Sequence, residues 1–432
     1  MRQKLLSEGA KELSYEIREI VKKAKLLQQE GINISWENIG DPIQKNAKIP
    51  DWIKDIITEL SSEDRTYGYC DSKGEIKTRE FLSERTNKLG GVQINAQDIL
   101  FFNGLGDAIA TLYHYLAPTS RVIGPSPAYS THSSAEAAHA NHHPLTYRLD
   151  PENHWYPDME DLRNKVKYNP NIVAILLINP DNPTGMVYPK QILEEIVELA
   201  REFNLFLISD EIYNQITYNG AIAYSLAEVI QDVPGIAMKG ISKELPWPGA
   251  RCGWIECYNR EIDEEFDRLC KTLDDAKMIE VCSTTLPQLA IPKILGDSRY
   301  EDYRTDLNEK IGQRSRFISK TLQEIQELTF NPTYGAFYNT IVFKAEALNR
   351  NQTLEIENPE AKKMVENWVE GVSLDTRFVY YLLGSTGICV VPISSFCSDL
   401  LGFRITLLEE DEELLKKTFN TLKDSIRLYL DS

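Results

Sequence analysis

The sequence predicts an α/β fold: a largely parallel sheet flanked by helices, followed by a smaller α+β portion. Three observations predict it. From about Asp98 onward, short apolar runs ending in Gly, Pro, Asn or Asp alternate with longer stretches of helical periodicity, the rhythm of strand–helix–strand units. The 432 residues suggest two or three domains. Charged residues make up 26% and hydrophobic residues 42%, a mixture able to bury a core rather than remain disordered.

The first thirty residues read as helical, because Leu13, Ile17, Ile20, Val21, Ala24 and Leu27 recur at three- and four-residue steps. Turn chemistry follows at Asn38-Ile39-Gly40-Asp41-Pro42. Strands are predicted at Ile99–Phe102, Arg121–Gly124, Ile172–Ile178, Leu205–Ser209, Ile236–Lys239 and Gly253–Cys257. Helices are predicted from Gly106 and over Gln191–Glu202. A long polar helix begins near Arg299 and runs to about Leu328, long enough to link two domains. The tail mixes strands (Tyr338–Phe343, Gly402–Leu407) with helices (Ala361–Glu370, Glu410–Tyr429), and Asn349–Pro359 is polar enough for a surface loop.

Ligands of open α/β sheets sit beyond the carboxyl ends of the strands, so the residues just after each strand carry the functional information. Asn103-Gly104-Leu105-Gly106 follows the first strand. Its glycines permit close backbone approach and its helix start offers N–H groups to an anion, although an ordinary glycine turn reads the same way. Tyr129 follows the proline-stiffened Pro125-Ser126-Pro127, where it either packs or faces a ligand. Asn179-Pro180-Asp181-Asn182-Pro183-Thr184-Gly185 holds two Asn-Pro pairs, a stiff turn that would aim an amide in one direction. Asp210 emerges from an apolar strand, which is costly unless a cation or donors meet it; a helix cap or a structural salt bridge is the alternative. Lys243, in Gly240-Ile241-Ser242-Lys243, stands where desolvation would leave an amine nucleophilic. Eight residues on, Arg251 lies in a Gly-rich setting suited to anion contact.

In this order the segments resemble the fold-type I pyridoxal-phosphate enzymes, and best the class I/II aminotransferases that include the aspartate and alanine enzymes. The likeness runs from Gly40-Asp41-Pro42 to Phe403-Arg404-Ile405, with spacings of 28 residues from Asn182 to Asp210 and 33 from Asp210 to Lys243. It implies a large domain (51–305) around a mostly parallel seven-stranded sheet, a small α+β domain (306–432), and an N-terminal helix and segment (1–50) joining the small domain. It also implies pyridoxal 5'-phosphate held on Lys243 as an internal Schiff base, and a ping-pong exchange of an amino group between an L-amino acid and a 2-oxo acid.

By that resemblance Asp210 pairs with the pyridine nitrogen. Unit charges ~4 Å apart at an effective dielectric of ~20 interact by roughly 4 kcal/mol, enough to keep that nitrogen protonated. Asn182 and Tyr213 bond the cofactor's phenolic oxygen, and Tyr129 stacks on its ring. Arg251, Ser242 and the backbone at Gly104, Leu105 and Gly106 hold the phosphate. Arg404 forks onto the substrate carboxylate near Gly40, where a side chain would crowd it. Tyr69 reaches the neighbouring active site of a homodimer.

Departures are Gly240, where relatives often carry a phosphate-binding serine, and Ile393 and Cys397, where they often carry glycine. Trp247 either lines the pocket or packs. A carbon–sulfur lyase or an aminocyclopropane-carboxylate synthase shares the constellation and is the alternative. A non-catalytic ligand-sensing domain is the remote one.

With 47 Lys and Arg against 65 Asp and Glu, the net charge is −18, which repels phosphate backbones and argues against nucleic-acid binding. The longest apolar runs are too short to cross a membrane, and seven scattered cysteines without a CxxC pair fit reduced thiols. The chain therefore reads as cytoplasmic. The six histidines cluster between 114 and 154, but the segment reads as a surface helix and turn without metal-ligand spacing. Cys70 is expected to pack.

Overall fold

The computed structural model describes residues 5–6, 8–13 and 17–432. The main sheet has eight strands rather than seven. Their order is Ile99–Phe102, Gly253–Tyr258, Gly235–Gly240, Phe206–Asp210, Ile172–Ile178, Arg121–Ser126, Thr146–Asp150 and Tyr156–Pro157. The middle pairings, from Gly235–Gly240 across to Thr146–Asp150, are parallel, and those at both ends are antiparallel. The Tyr156–Pro157 strand has only two residues, too few to show any alternation in sequence.

The Ile172–Ile178 strand is apolar along its whole length because helices cover both faces. One face packs against Leu193, Ile196 and Val197 of the Lys190–Glu202 helix, and the other against Ile109 and Leu112 of Leu105–Tyr115. Register brings the motifs together: Ile178 pairs with Asp210, and Asp210 with Met238. The Asn179–Gly185 turn, the Asp210 carboxylate and the Lys243 turn are therefore neighbours at the carboxyl edge of adjacent parallel strands.

A second sheet orders Leu328–Phe330, Tyr338–Phe343, Gly402–Thr406 and Val391–Pro392, all antiparallel. Its core takes in Ile20, Ala24 and Leu27 of the Ile17–Gln29 helix, while Leu13 lies outside that helix and is exposed. The strand Ser35–Trp36 pairs with Ile388–Cys389, which ties the N-terminal segment to this second body. The long helix spans Tyr300–Leu322, with Tyr300 in the first core and Ile311 and Ile318 in the second. It stops six residues earlier than its polar periodicity suggests, because Leu328 and Phe330 pair with Tyr338–Phe343, where tertiary pairing overrides local propensity. The Asn349–Pro359 stretch begins as a loop, yet it turns Gln352, Leu354 and Ile356 inward.

Among the described residues, no helix is long and apolar enough to cross a membrane.

Candidate active site

A cavity of about 490 Å³ opens at the carboxyl edge of the main sheet, a volume typical of small-molecule sites. Lys243, Asp210, Tyr213, Asn182, Tyr129, Ser242, Arg251, Leu105, Gly106, Arg404 and Gly40 all line it. A larger cavity, about 700 Å³, lies at the opposite edge around Val173, Phe206 and Pro234, near the amino ends of the strands, where ligands of such sheets do not sit.

Asp210 closes its strand, 3% exposed. Its Oδ1 accepts from the Ile212 amide at 3.1 Å, and His132 Nε2 donates to its Oδ2 at 3.0 Å. The histidine segment is thus not merely a surface helix. Ser130–Ala140 buries His132, one helical turn beyond Tyr129, along with Ser133 and Glu136. The sequence carried no signal for His132, because polar residues stand all around its helix. Among the described residues no group of three or more metal-binding side chains is assembled.

Lys243 Nζ donates to the Gly40 carbonyl at 2.8 Å and lies 5.8 Å from the Tyr213 ring and 5.6 Å from the Phe337 ring. Burial pushes the Tyr213 hydroxyl well above its ordinary pKa, and its oxygen sits 3.0 Å from that of Tyr338. Sequence motifs gave no hint of Tyr338, which heads a strand of the second sheet. It also bears on Gly40: a Cβ there would stand 2.1 Å from the Tyr338 hydroxyl, so the missing side chain makes room for this tyrosine.

Arg404 is buried on the second sheet. Its Nη2 donates to the Asn38 carbonyl at 2.7 Å and its Nη1 to Asn182 Oδ1 at 3.2 Å, and the guanidinium lies 4.4 Å from the Tyr338 ring centroid. Asn182 is held by its turn. Asp181 Oδ2 accepts from the Thr184 amide at 3.0 Å and the Thr184 hydroxyl at 2.5 Å. Burial raises the Asp181 carboxyl to about 7, with Asp210 adding to the rise.

Gly104, with φ +84°, stands at the start of Leu105–Tyr115 beside Arg251 and, unlike Leu105 and Gly106, does not itself line the cavity. A Cβ there would lie 2.5 Å from Arg251 Nη2, a contact only glycine permits. Arg251 donates to the Asn103 carbonyl at 3.4 Å and the Pro248 carbonyl at 3.1 Å. Gly240 pairs with Gly253 at the strand end, and a Cβ at Gly240 would meet the Cys252 carbonyl at 3.0 Å. Cys397, where the resemblance leads one to expect glycine, adopts a left-handed conformation, φ +57°.

Some predicted residues stand apart. Tyr69 is 85% exposed and does not line the cavity. Trp247 packs against the main core instead of the cavity. Cys70 lies beside Ser283 and Gln288, with burial raising its thiol to about 11. Conversely, Arg18 of the N-terminal helix lines the cavity as a third guanidinium beside Arg251 and Arg404, although the sequence offered no obvious partner for a second substrate carboxylate.

Residues 32–418 match the family model for aminotransferase class I and II. Over 430 residues, all of both chains, the protein is 57% identical to an uncharacterized aminotransferase of Methanocaldococcus jannaschii. It is 35% identical over 244 residues to the glutamate-pyruvate aminotransferase AlaA of Escherichia coli, covering 56% of this chain and 59% of that one. In structure it matches an alanine aminotransferase from Pyrococcus furiosus with a TM-score of 0.84 and 28% identity, over 98% of this chain and 99% of that one. The chain belongs to the class I and II aminotransferases, an enzyme family dependent on pyridoxal phosphate.

Proposed function

We propose that this enzyme exchanges an amino group between a small L-amino acid, alanine foremost, and a 2-oxo acid such as 2-oxoglutarate, in a ping-pong cycle with pyridoxal 5'-phosphate. The observation that carries the reading is the convergence of Lys243, Asp210, Arg251 and Arg404 on one cavity, with His132 hydrogen-bonded behind Asp210 and Gly104 packed behind Arg251. The donor set fits the cofactor: a guanidinium and a helix start for its phosphate, a carboxylate for its ring nitrogen, and an amine for its aldehyde. When bound, pyridoxal phosphate supplies an electron sink for the substrate Cα and a carrier for the amino group between two half-reactions.

The protein's residues do the rest. Lys243 holds the cofactor and, once released, moves the proton at Cα as general base. His132 fixes the Asp210 carboxylate toward the ring nitrogen. Tyr213 and Asn182 donate toward the phenolic oxygen, and Tyr129 covers the ring. Arg404 orients the α-carboxylate by a bidentate contact. Arg18 supports a second carboxylate, as on glutamate and 2-oxoglutarate, and glutamate-pyruvate and alanine aminotransferases are among the relatives. Tyr69, with exposed Tyr67, Met278 and Ile279 close by in the chain or across the Gly68–Thr285 hydrogen bond, belongs to a homodimer surface.

The test supplies L-alanine with 2-oxoglutarate and follows pyruvate and glutamate. Equal formation of both supports the reading. Continuous product from L-alanine or another amino acid without any oxo acid assigns a lyase, and no turnover with any acceptor rejects catalysis of this kind.

A further inference from the structure

Outside the cavity lies a buried ionic triad that the reaction does not use. Lys45 Nζ stands 3.0 Å from Glu37 Oε1 and 3.1 Å from Glu409 Oε2, and the three residues are 5%, 0% and 8% exposed. Glu37 also accepts from the Ser35 hydroxyl at 3.1 Å, and Glu409 accepts from the Asp411 amide at 3.1 Å. Arg314, which packs beside Glu409 and Glu410, donates to the Leu407 carbonyl.

The triad brackets a short wall. Between Glu37 and Lys45 lie Asn38, whose carbonyl accepts from Arg404, and Gly40, whose carbonyl accepts from Lys243. On one side of the wall is the 490 Å³ cavity, touching Asn38, Ile39, Gly40, Asp41 and Gln44. On the other is a second cavity of about 380 Å³ touching Pro42, Ala47 and Lys48. Lys243 lines both, so the segment partitions the space around the amine. The wall has little regular secondary structure: a three-residue turn, Ile43–Lys45, braced by Asp41, whose Oδ1 accepts from the Ile43 amide at 3.0 Å, and at its start the bonds from the Thr406 amide to the Glu37 carbonyl and from the Glu37 amide to the Ser35 carbonyl. Its place depends on the ends being held. A buried charge left unpaired is strongly destabilising, so Lys45 and its two carboxylates resist separation.

Resting on the aminotransferase reading, we propose that Lys45 is a positioning residue: bridging Glu37 and Glu409, it holds the 37–45 wall so that Asn38 orients Arg404 for the substrate carboxylate and Gly40 keeps Lys243 aligned. It touches neither substrate nor cofactor and acts through those two carbonyls.

The test compares the holoenzyme with Lys45→Met and with the charge-neutral triple variant Glu37→Gln/Lys45→Met/Glu409→Gln. Two readouts are taken: hydrogen exchange of residues 37–47, and KM and kcat for L-alanine with 2-oxoglutarate. Lys45→Met is expected to speed exchange in 37–47 at least tenfold while Ile172–Ile178 stays protected. It should raise KM at least tenfold through Arg404 and lower kcat at least threefold through Lys243, and the triple variant, which leaves no unpaired charge but also no bridge, should keep both defects. The proposal is overturned by unchanged exchange in Lys45→Met, by protection lost equally from Ile172–Ile178, or by a triple variant that returns to wild-type exchange, which would assign the defect to unpaired carboxylates instead of the lost bridge. A wild type without transaminase turnover would reject the previous reading instead, and the exchange comparison would still decide the clamp.

Discussion

His132 and Tyr338 show how single side chains acquire roles that neither composition nor motif announces. His132 fixes a carboxylate by a hydrogen bond to a charged acceptor, worth ~1.5–3 kcal/mol. His132→Phe is therefore expected to lower kcat/KM by roughly 10- to 100-fold in steady-state kinetics, and a loss below twofold would detach it from the site. Tyr338 fills the space that Gly40 leaves, so Gly40→Ala overpacks the wall at a cost of ~1–3 kcal/mol. Its KM for L-alanine should rise, and Tyr338→Phe in the same chain should relieve part of the defect by removing the nearest atom. Residues at strand ends were legible because parallel architecture obliges ligands to gather there. His132 was not, since its helix carries polar residues on every side, and Arg18 was not, since only the tertiary path of the N-terminal helix brings it to the cavity.

At the scale of an element, the Asn179–Gly185 turn couples stability to pH through Asp181. Its buried carboxyl holds a proton up to about pH 7, whereas in the unfolded chain it releases the proton near the usual value of 3.8. Because the folded pKa is the higher one, this residue's contribution to stability falls as pH rises from about 4 to 7 and then levels off. Asp181→Asn cannot ionise. Urea unfolding should show the variant at its greatest disadvantage at about pH 4 and below, with the gap to wild type narrowing by up to roughly 4 kcal/mol by pH 8. A gap constant with pH would contradict this. The element itself was legible, since paired prolines restrict so many dihedrals that only one kind of turn remains. The end of the Tyr300–Leu322 helix was not, because its last predicted turn is decided by pairing with a strand that follows it in sequence.

Over the whole molecule, two bodies share one cavity: Lys243, Asp210 and Arg251 come from the main sheet, and Arg404, Tyr338 and Gly40 from the second body and the segment tied to it. That division was legible from the change of strand pattern after Arg299, but the seating of residues 37–45 between the bodies was not, because a buried ion triad leaves only scattered charges in the sequence. The exposed Tyr67, Tyr69 and Ile279 lead to a prediction at this scale. Light scattering should give twice the chain's mass, and mixing Lys243→Ala with Tyr69→Ala protein after subunit exchange should restore activity that neither has alone. A monomer, or no restoration, would remove Tyr69 from the neighbouring site. The central claim is that Lys243 carries the cofactor, and it is tested most directly by borohydride fixation of pyridoxal phosphate to the protein followed by peptide mass mapping. The account predicts the label on the peptide containing Lys243, with none retained in Lys243→Ala; a label on another lysine, or an equal label in the variant, would contradict it.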